Sequence, residues 1–85
     1  MISIQQMQYI VALNEEKQFQ RASEVCFVSQ PTLSMQVKKA EGMLGGVLFD
    51  RSRFPLELTD FGQEMIVVFQ NVLQEYEKIN ELIQK

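Results

Sequence analysis

The chain of 85 residues is long enough for one domain, and its composition, with 46% hydrophobic and 22% charged residues, is typical of a globular protein. It has no histidine and a single cysteine, Cys26, which excludes Ser-His and Cys-His nucleophile pairs, an internal disulfide and a cysteine-rich zinc site. The net charge is −3, yet residues 17–53 hold six positive against three negative side chains, so this basic centre is a candidate for a surface that faces a polyanion.

Two amphipathic helices are predicted in the first third of the chain. Ser3 and Gln6 have the spacing of a capping box, and apolar residues then recur at helical period, which predicts helix one from about Ile4 to Asn14. A polar stretch ends this helix, and a second, short helix follows. We expect Cys26 to act there as a small buried hydrophobe rather than a reactive thiol. The inner side of the second helix is predicted to carry Phe19, Ala22, Val25 and Cys26.

The third predicted helix has a polar, basic outer face. Ser29 has the residue type and position of an N-cap, and Pro31 falls in the first turn, where a missing N–H costs nothing. Gly45-Gly46 ends the helix with residues that accept positive φ. The apolar residues, at spacings of four, three and four, are Leu33, Val37, Ala40 and Leu44. The polar and basic side chains therefore lie elsewhere on the helix surface.

A small hairpin and a long helix complete the pattern. Val47 to Arg51 and Pro55 to Leu58 are short, partly alternating segments around Ser52-Arg53-Phe54, which predicts a two-stranded hairpin with a basic tip. Thr59 then caps a final helix of roughly 25 residues, or about 37 Å. The apolar residues of this helix form a seam of nearly three heptads, made of Met65, Phe69, Val72, Tyr76, Ile79 and Ile83.

This seam has two interpretations. An apolar stripe usually packs in the core of its own chain, but the helix is longer than the remaining domain can cover, which favours pairing with another chain. A second row, Phe61, Ile66 and Leu73, points to another side, so one row can pack on the body while the other meets a partner. We therefore predict a homodimer held by the six residues of the seam.

Two stretches of the sequence carry a specific family resemblance. Residues 21–45, RASEVCFVSQPTLSMQVKKAEGMLG, and residues 48–62, LFDRSRFPLELTDFG, resemble the N-terminal DNA-binding domain of the LysR-type bacterial transcriptional regulators. Around Cys26 the sequence is similar to the peroxide-responsive OxyR branch of that family. The resemblance implies a mainly α fold. A winged helix-turn-helix of three helices and a small two-stranded wing would span residues 1–58, and a long dimerisation linker helix residues 59–85.

The same resemblance implies a function. The chain would bind double-stranded DNA as a dimer on an interrupted inverted repeat, with the two linker helices antiparallel. An effector-binding domain is expected after Lys85, and a small-molecule or redox effector would act only through that domain. In the OxyR branch the redox-sensing cysteines belong to that domain, so Cys26 is not expected to be a sensor. A higher oligomer is expected for the full-length protein.

Several positions depart from the family pattern. Met35 stands where the family often has an arginine that reaches the DNA, Ala40 replaces a larger aliphatic residue, and Glu57 replaces a frequently basic wing residue. Arg53 and Phe54 occupy the places of a glycine and an arginine. The wing is therefore less cationic than usual, which weakens nonspecific binding because phosphate contacts carry most of that affinity.

The predicted DNA-contacting residues lie on the third helix and the wing: Gln30, Pro31, Thr32, Ser34, Met35, Lys38, Lys39, Arg51 and Arg53. A lysine pair is usually a solvated surface charge, but the outward side of this helix favours phosphate contact. The small polar residues at its start are either caps and solvent-facing groups or, as their place beside Pro31 favours, base-edge or phosphate contacts. Arg21 stays open between pairing with a carboxylate and contact with the DNA backbone.

Two classes of function stay open. The first is the DNA-binding module of a transcription regulator, and the second is a helical dimerisation or adaptor module without a nucleic-acid role, which the acidic net charge suits.

An enzyme is not expected, because Glu75, Glu77 and Glu81 are interpreted as the solvated side of the last helix, and neither a metal nor a cofactor is expected. Apolar runs reach only five residues, short of the roughly 18 needed to span a bilayer. No Lys or Arg precedes Lys17, so the positively charged start of a secretory signal is missing. We therefore expect a cytoplasmic protein.

Overall fold

A computed structural model describes residues 1–84 and shows four helices and a two-stranded antiparallel sheet. The elements are α1 (Ile4–Glu16), α2 (Phe19–Val25), α3 (Gln30–Leu44), β1 (Phe49–Asp50), β2 (Glu57–Leu58) and α4 (Asp60–Ile83). The predicted fold class, a winged helix-turn-helix followed by a long helix, is confirmed. Lys85, the last residue of the predicted linker segment, lies outside the described residues.

Local caps set the ends of the helices. The Gln6 N–H donates to Ser3 Oγ at 3.0 Å and the Ser3 N–H donates to Gln6 Oε1 at 2.9 Å, which forms the predicted capping box. Helix α1 runs two residues past its predicted end because the chain leaves it only at Lys17. This residue has a left-handed φ of 64° and donates its N–H to the Leu13 carbonyl. Thr59 caps α4 as predicted.

One hydrophobic core joins the three short helices, the wing and the first half of α4. Val25 lies outside this core with 53% of its surface exposed, so its predicted place on the inner side of α2 is wrong. Helix α2 has only seven residues, and its neighbours cover a narrow stripe around Ala22 and Cys26 that does not reach Val25. The buried core residues are Tyr9, Ile10, Leu13, Ala22, Leu33, Val37, Ala40, Leu48, Phe49, Leu56, Ile66 and Phe69.

The wing has shorter strands than the sequence predicts. Its two pairs in register are Phe49 with Leu58 and Asp50 with Glu57. Pairing stops there because the Leu56 N–H donates to the carbonyl of Lys17 at 3.0 Å, in the connection between α1 and α2, and not to β1. The wing is thereby tied to the helical body.

Helix α4 has two different halves. Ile66 and Phe69 in its first half are buried in the core, whereas every described residue after Leu73 is exposed. Its 24 residues correspond to about 36 Å at 1.5 Å per residue, and the molecule is elongated, with extents of 45 × 25 × 21 Å. Within residues 1–84, no helix is long and apolar enough to cross a membrane.

Candidate nucleic-acid interface

Helix α3 begins with a cap that also engages a predicted contact residue. Ser29 Oγ accepts the Thr32 N–H at 3.2 Å and donates its own hydrogen to Thr32 Oγ1 at 2.8 Å. Pro31 stands in the first turn. Ser29 is therefore the N-cap, as predicted, and Thr32 Oγ1 keeps its own hydrogen to donate elsewhere.

The buried stripe of α3 decides which of its side chains face solvent. Leu33, Val37 and Ala40 are buried, and helical period places Met35 and Lys38 on the opposite side. Met35 is 51% exposed and stands near the centre of this outer face. The two flanks of the face divide the remaining predicted residues, with Gln30 and Ser34 on the side of the wing and Thr32 and Lys39 on the other.

The lysines on this face are the cations that remain available. Lys38 and Lys39 are both exposed, and neither makes an ion pair with any residue in the range 1–84. Arg21, which the sequence left open, pairs with Glu16 at 3.3 Å. The outer face of α3 therefore carries two lysines that make no ion pair with a carboxylate of residues 1–84.

Arg51, a predicted wing contact, is held against the protein by three partners. Its guanidinium donates to Ser34 Oγ at 3.3 Å, lies 3.7 Å from Glu41 and stacks 4.8 Å from the centroid of the Phe19 ring. Glu41 also accepts the Leu48 N–H at 2.8 Å. Arg51 thus links the wing to α2 and α3, and its side chain is only 31% exposed.

Arg53, at the tip of the wing, is exposed but paired. Its Nε lies 3.7 Å from Asp50 and 3.5 Å from Glu57, with 65% of the side chain open to solvent. These two partners were not predicted from the sequence, although they stand only three and four residues from Arg53. The Ser52 hydroxyl and N–H donate to Asp50 and, with the charge of Arg53, lower the pKa of Asp50, so this carboxylate stays ionised at neutral pH.

Cys26 is a packing residue. It stands at the end of α2, half-buried against the core, and burial raises the pKa of its thiol. A protonated thiol is a poor nucleophile, so the position matches the predicted structural role. Between Met1 and Gln84, no three His, Cys, Asp or Glu side chains are close enough together to hold a metal ion.

The predicted seam of α4 is divided between the core and the surface. Phe69 is 3% exposed, so this predicted dimer residue is covered by its own chain, and Met65 is half-buried against the same core. This part of the seam is covered because α1 packs against α4. The remaining seam residues are Val72, which is half-buried, and Tyr76, Ile79 and Ile83, which are exposed. Val68, which is not in the predicted seam, is exposed on the same side of the helix. These five residues are called the exposed stripe of α4.

Comparison with known proteins places this geometry in a family. The family model for bacterial regulatory helix-turn-helix proteins of the lysR family matches residues 4–63. The chain belongs to the LysR family. A LysR-type relative, the hydrogen peroxide-inducible genes activator of Haemophilus influenzae, is 38% identical over 81 residues, which are 95% of this chain and 27% of the activator. The chain therefore spans about a quarter of the length of that relative.

Solved structures of the LysR family have the same fold. A full-length OxyR variant from Pseudomonas aeruginosa matches 99% of this chain and 28% of its own length, with a TM-score of 0.92 and 43% identity. The BenM DBD, in a complex with benA site 1 DNA, matches 98% of this chain and 93% of its own length, with a TM-score of 0.92 and 25% identity. The predicted family and the predicted similarity to OxyR are confirmed.

Proposed function

We propose that this chain binds double-stranded DNA through the outer face of α3, as the N-terminal module of a bacterial LysR-type transcription regulator. The observation that carries the proposal is the presence of two exposed lysines without an ion pair, Lys38 and Lys39, on the same capped helix as exposed Gln30 and Met35. An α-helix fits the major groove of B-DNA, and lysines at its flanks attract phosphates. The DNA held by the similar BenM DBD supports the same role for this fold.

The predicted contact residues then divide by chemistry. Gln30, Thr32 and Ser34 are proposed to reach base edges or phosphates. The Thr32 and Ser34 hydroxyls each accept an intramolecular hydrogen bond and still have a hydrogen to donate. Lys38 and Lys39 are proposed to contact phosphates. In the centre of the face, Pro31 and Met35 offer apolar contact, and Met35 can touch a thymine methyl group. Arg51 and Arg53 are proposed as wing contacts, available only when they leave the partners described above.

Salt dependence of duplex binding tests the proposal. The affinity for a short mixed-sequence duplex, measured by fluorescence anisotropy, should fall log-linearly between about 50 and 200 mM salt. Lys38→Ala should weaken binding to every sequence and reduce the salt slope by about one. Lys78→Ala is the control, because Lys78 is also exposed but lies on α4 and pairs with Glu75 at 3.0 Å. Wild-type protein that binds no duplex at any salt would leave the adaptor function as the better description.

We also propose that the chain acts as a homodimer through the exposed stripe of α4, on an interrupted inverted repeat. Burying a Val or Ile side chain contributes roughly 1.5 to 3 kcal/mol, so the five stripe residues can offset much of the cost of association. The proposed domain division assigns residues 1–58 to the DNA-binding domain and residues 59–85 to the linker segment that contains α4. An effector-binding domain after residue 85 would add the effector response and higher assembly.

Two adjacent valines give a matched test of the dimer. Val68 is 53% exposed and Val67 55% exposed, but helical period places only Val68 on the stripe. Val68→Glu should convert the protein to a monomer in sedimentation experiments, and Val67→Glu should leave it a dimer. A wild-type monomer at high micromolar concentration, or equal effects of the two substitutions, would contradict the assignment.

The proposal gives this module no catalytic role, in keeping with a family of regulators. A bacterial regulator that binds chromosomal DNA works in the cytoplasm, and we place this protein there.

A further inference from the structure

The cleft between α3 and the wing carries charges of both signs, with one more carboxylate than cations. It is open to solvent, with a volume of about 650 Å³, and three cations line it, Lys38, Arg51 and Arg53. Four carboxylates line it as well, contributed by Glu41, Asp50, Glu57 and Asp60. The wing side of the interface is therefore not cationic, although two of its residues are arginines.

The register of the wing explains why Arg53 is held there. Asp50 and Glu57 are directly opposite each other in the two-stranded ladder, where like charges destabilise a sheet. The Arg53 guanidinium lies 3.7 Å from one carboxylate and 3.5 Å from the other and offsets their repulsion. An Arg53 that turns to a phosphate leaves the two carboxylates facing each other, close to a polyanion.

We propose that Asp50 and Glu57 compete with DNA phosphate for Arg53 and thereby restrain the sequence-independent affinity of the protein. This inference rests on the proposed DNA binding and adds to it a role for two acidic residues. Asp50 and Glu57 are positioning residues, since they act through Arg53. The outer face of α3 then supplies most of the affinity, because the wing adds little net attraction to phosphates until Arg53 is released.

Replacing Glu57 with a neutral residue tests whether this carboxylate holds Arg53 away from DNA phosphate. Glu57 is exposed, so Glu57→Gln should fold normally, which circular dichroism verifies. The loss of an exposed ion pair should raise the affinity for a mixed-sequence duplex by about two- to fivefold. The salt slope should steepen by about 0.9 as Arg53 gains a phosphate. Glu75→Gln is the control: it makes the same charge change and releases Lys78 from an ion pair at 3.0 Å, but on α4, and it should change neither quantity.

A double-mutant cycle shows whether the effect passes through Arg53. In an Arg53→Gln background, Glu57→Gln should raise the affinity by less than about half of its effect in the wild type on a logarithmic scale. Equal gains in both backgrounds would overturn the proposal, since Glu57 would then act by direct repulsion of phosphate. An unchanged affinity in Glu57→Gln, with salt-dependent binding intact in the wild type, would overturn the restraint and leave the proposed function standing. Absence of wild-type binding would instead remove the proposed function itself.

Discussion

Replacing Gly62 with alanine should strongly destabilise the fold, because Gly62 is where α4 passes closest to the wing. A Cβ at this position would lie far inside van der Waals distance of the Leu48 carbonyl oxygen and 3.0 Å from Leu58 Cδ2. The Leu48 carbonyl cannot move freely, since it accepts the Thr59 N–H at 2.9 Å. The substitution therefore forces the start of α4 away from Leu48, the residue before β1, or breaks the Thr59–Leu48 hydrogen bond.

The size of the effect follows from two opposing contributions. Overpacking of a well-packed site costs about 1 to 3 kcal/mol, and a strained backbone hydrogen bond adds roughly 1 kcal/mol. Alanine gains at most about 1 kcal/mol over glycine in helix propensity. With the full propensity gain subtracted, we expect a net loss of about 1 to 3 kcal/mol, which lowers the melting temperature of a domain of this size by roughly 4 °C or more.

Gly42 provides the matched control. It is an exposed helical glycine of α3, and a Cβ built there meets nothing within 4 Å, so Gly42→Ala should stabilise the protein by about 0.5 to 1 kcal/mol. Urea unfolding at one fixed protein concentration measures both variants, since the proposed dimerisation would make stability depend on concentration. A Gly62→Ala protein as stable as the wild type would refute the close approach of Gly62 to the Leu48 carbonyl.

Four further outcomes are expected. Gln30→Ala should lower the preference for a site selected from a randomised duplex library over mixed-sequence DNA by about 1 to 3 kcal/mol in a competition assay. Met35→Arg should raise affinity most at low salt, because it puts a cation at the centre of the outer face of α3. Arg51→Ala should destabilise the fold by roughly 1 kcal/mol in urea unfolding, since it loses the Ser34 and Glu41 contacts and the stacking on Phe19. In an NMR titration, Asp50 should have its midpoint below 3.8, and its contacts to Ser52 and Arg53 should persist above that midpoint and be lost as the pH falls through it.

Local sequence signals predicted the helices well. Ser3, Ser29 and Thr59 cap the helices that their positions predict, because each cap bonds to a backbone N–H only three residues away. The apolar stripe of α3 was also predictable, since helical period alone places Leu33 and Val37 on one side. Signals of this kind act within about one helical turn and need no knowledge of the rest of the fold.

The wing and α4 were less predictable because distant residues shape them. The strands are short since Leu56 bonds to Lys17, a residue far away in the sequence. Likewise, periodicity cannot tell which part of one apolar seam is covered. The position of α1 buries Phe69 and leaves Ile79 on the surface.

The sequence by itself determined the helices, their caps, the family and the basic outer face of α3. Only the tertiary structure decided which cations on the predicted surface are free. Arg51 and Arg53 read as DNA contacts from their residue type, but the fold brings Glu41 to the first and aligns Asp50 and Glu57 around the second. The position of a charged residue in the sequence does not identify its ion-pair partner, because ion pairs form wherever packing and strand register place two side chains within about 4 Å.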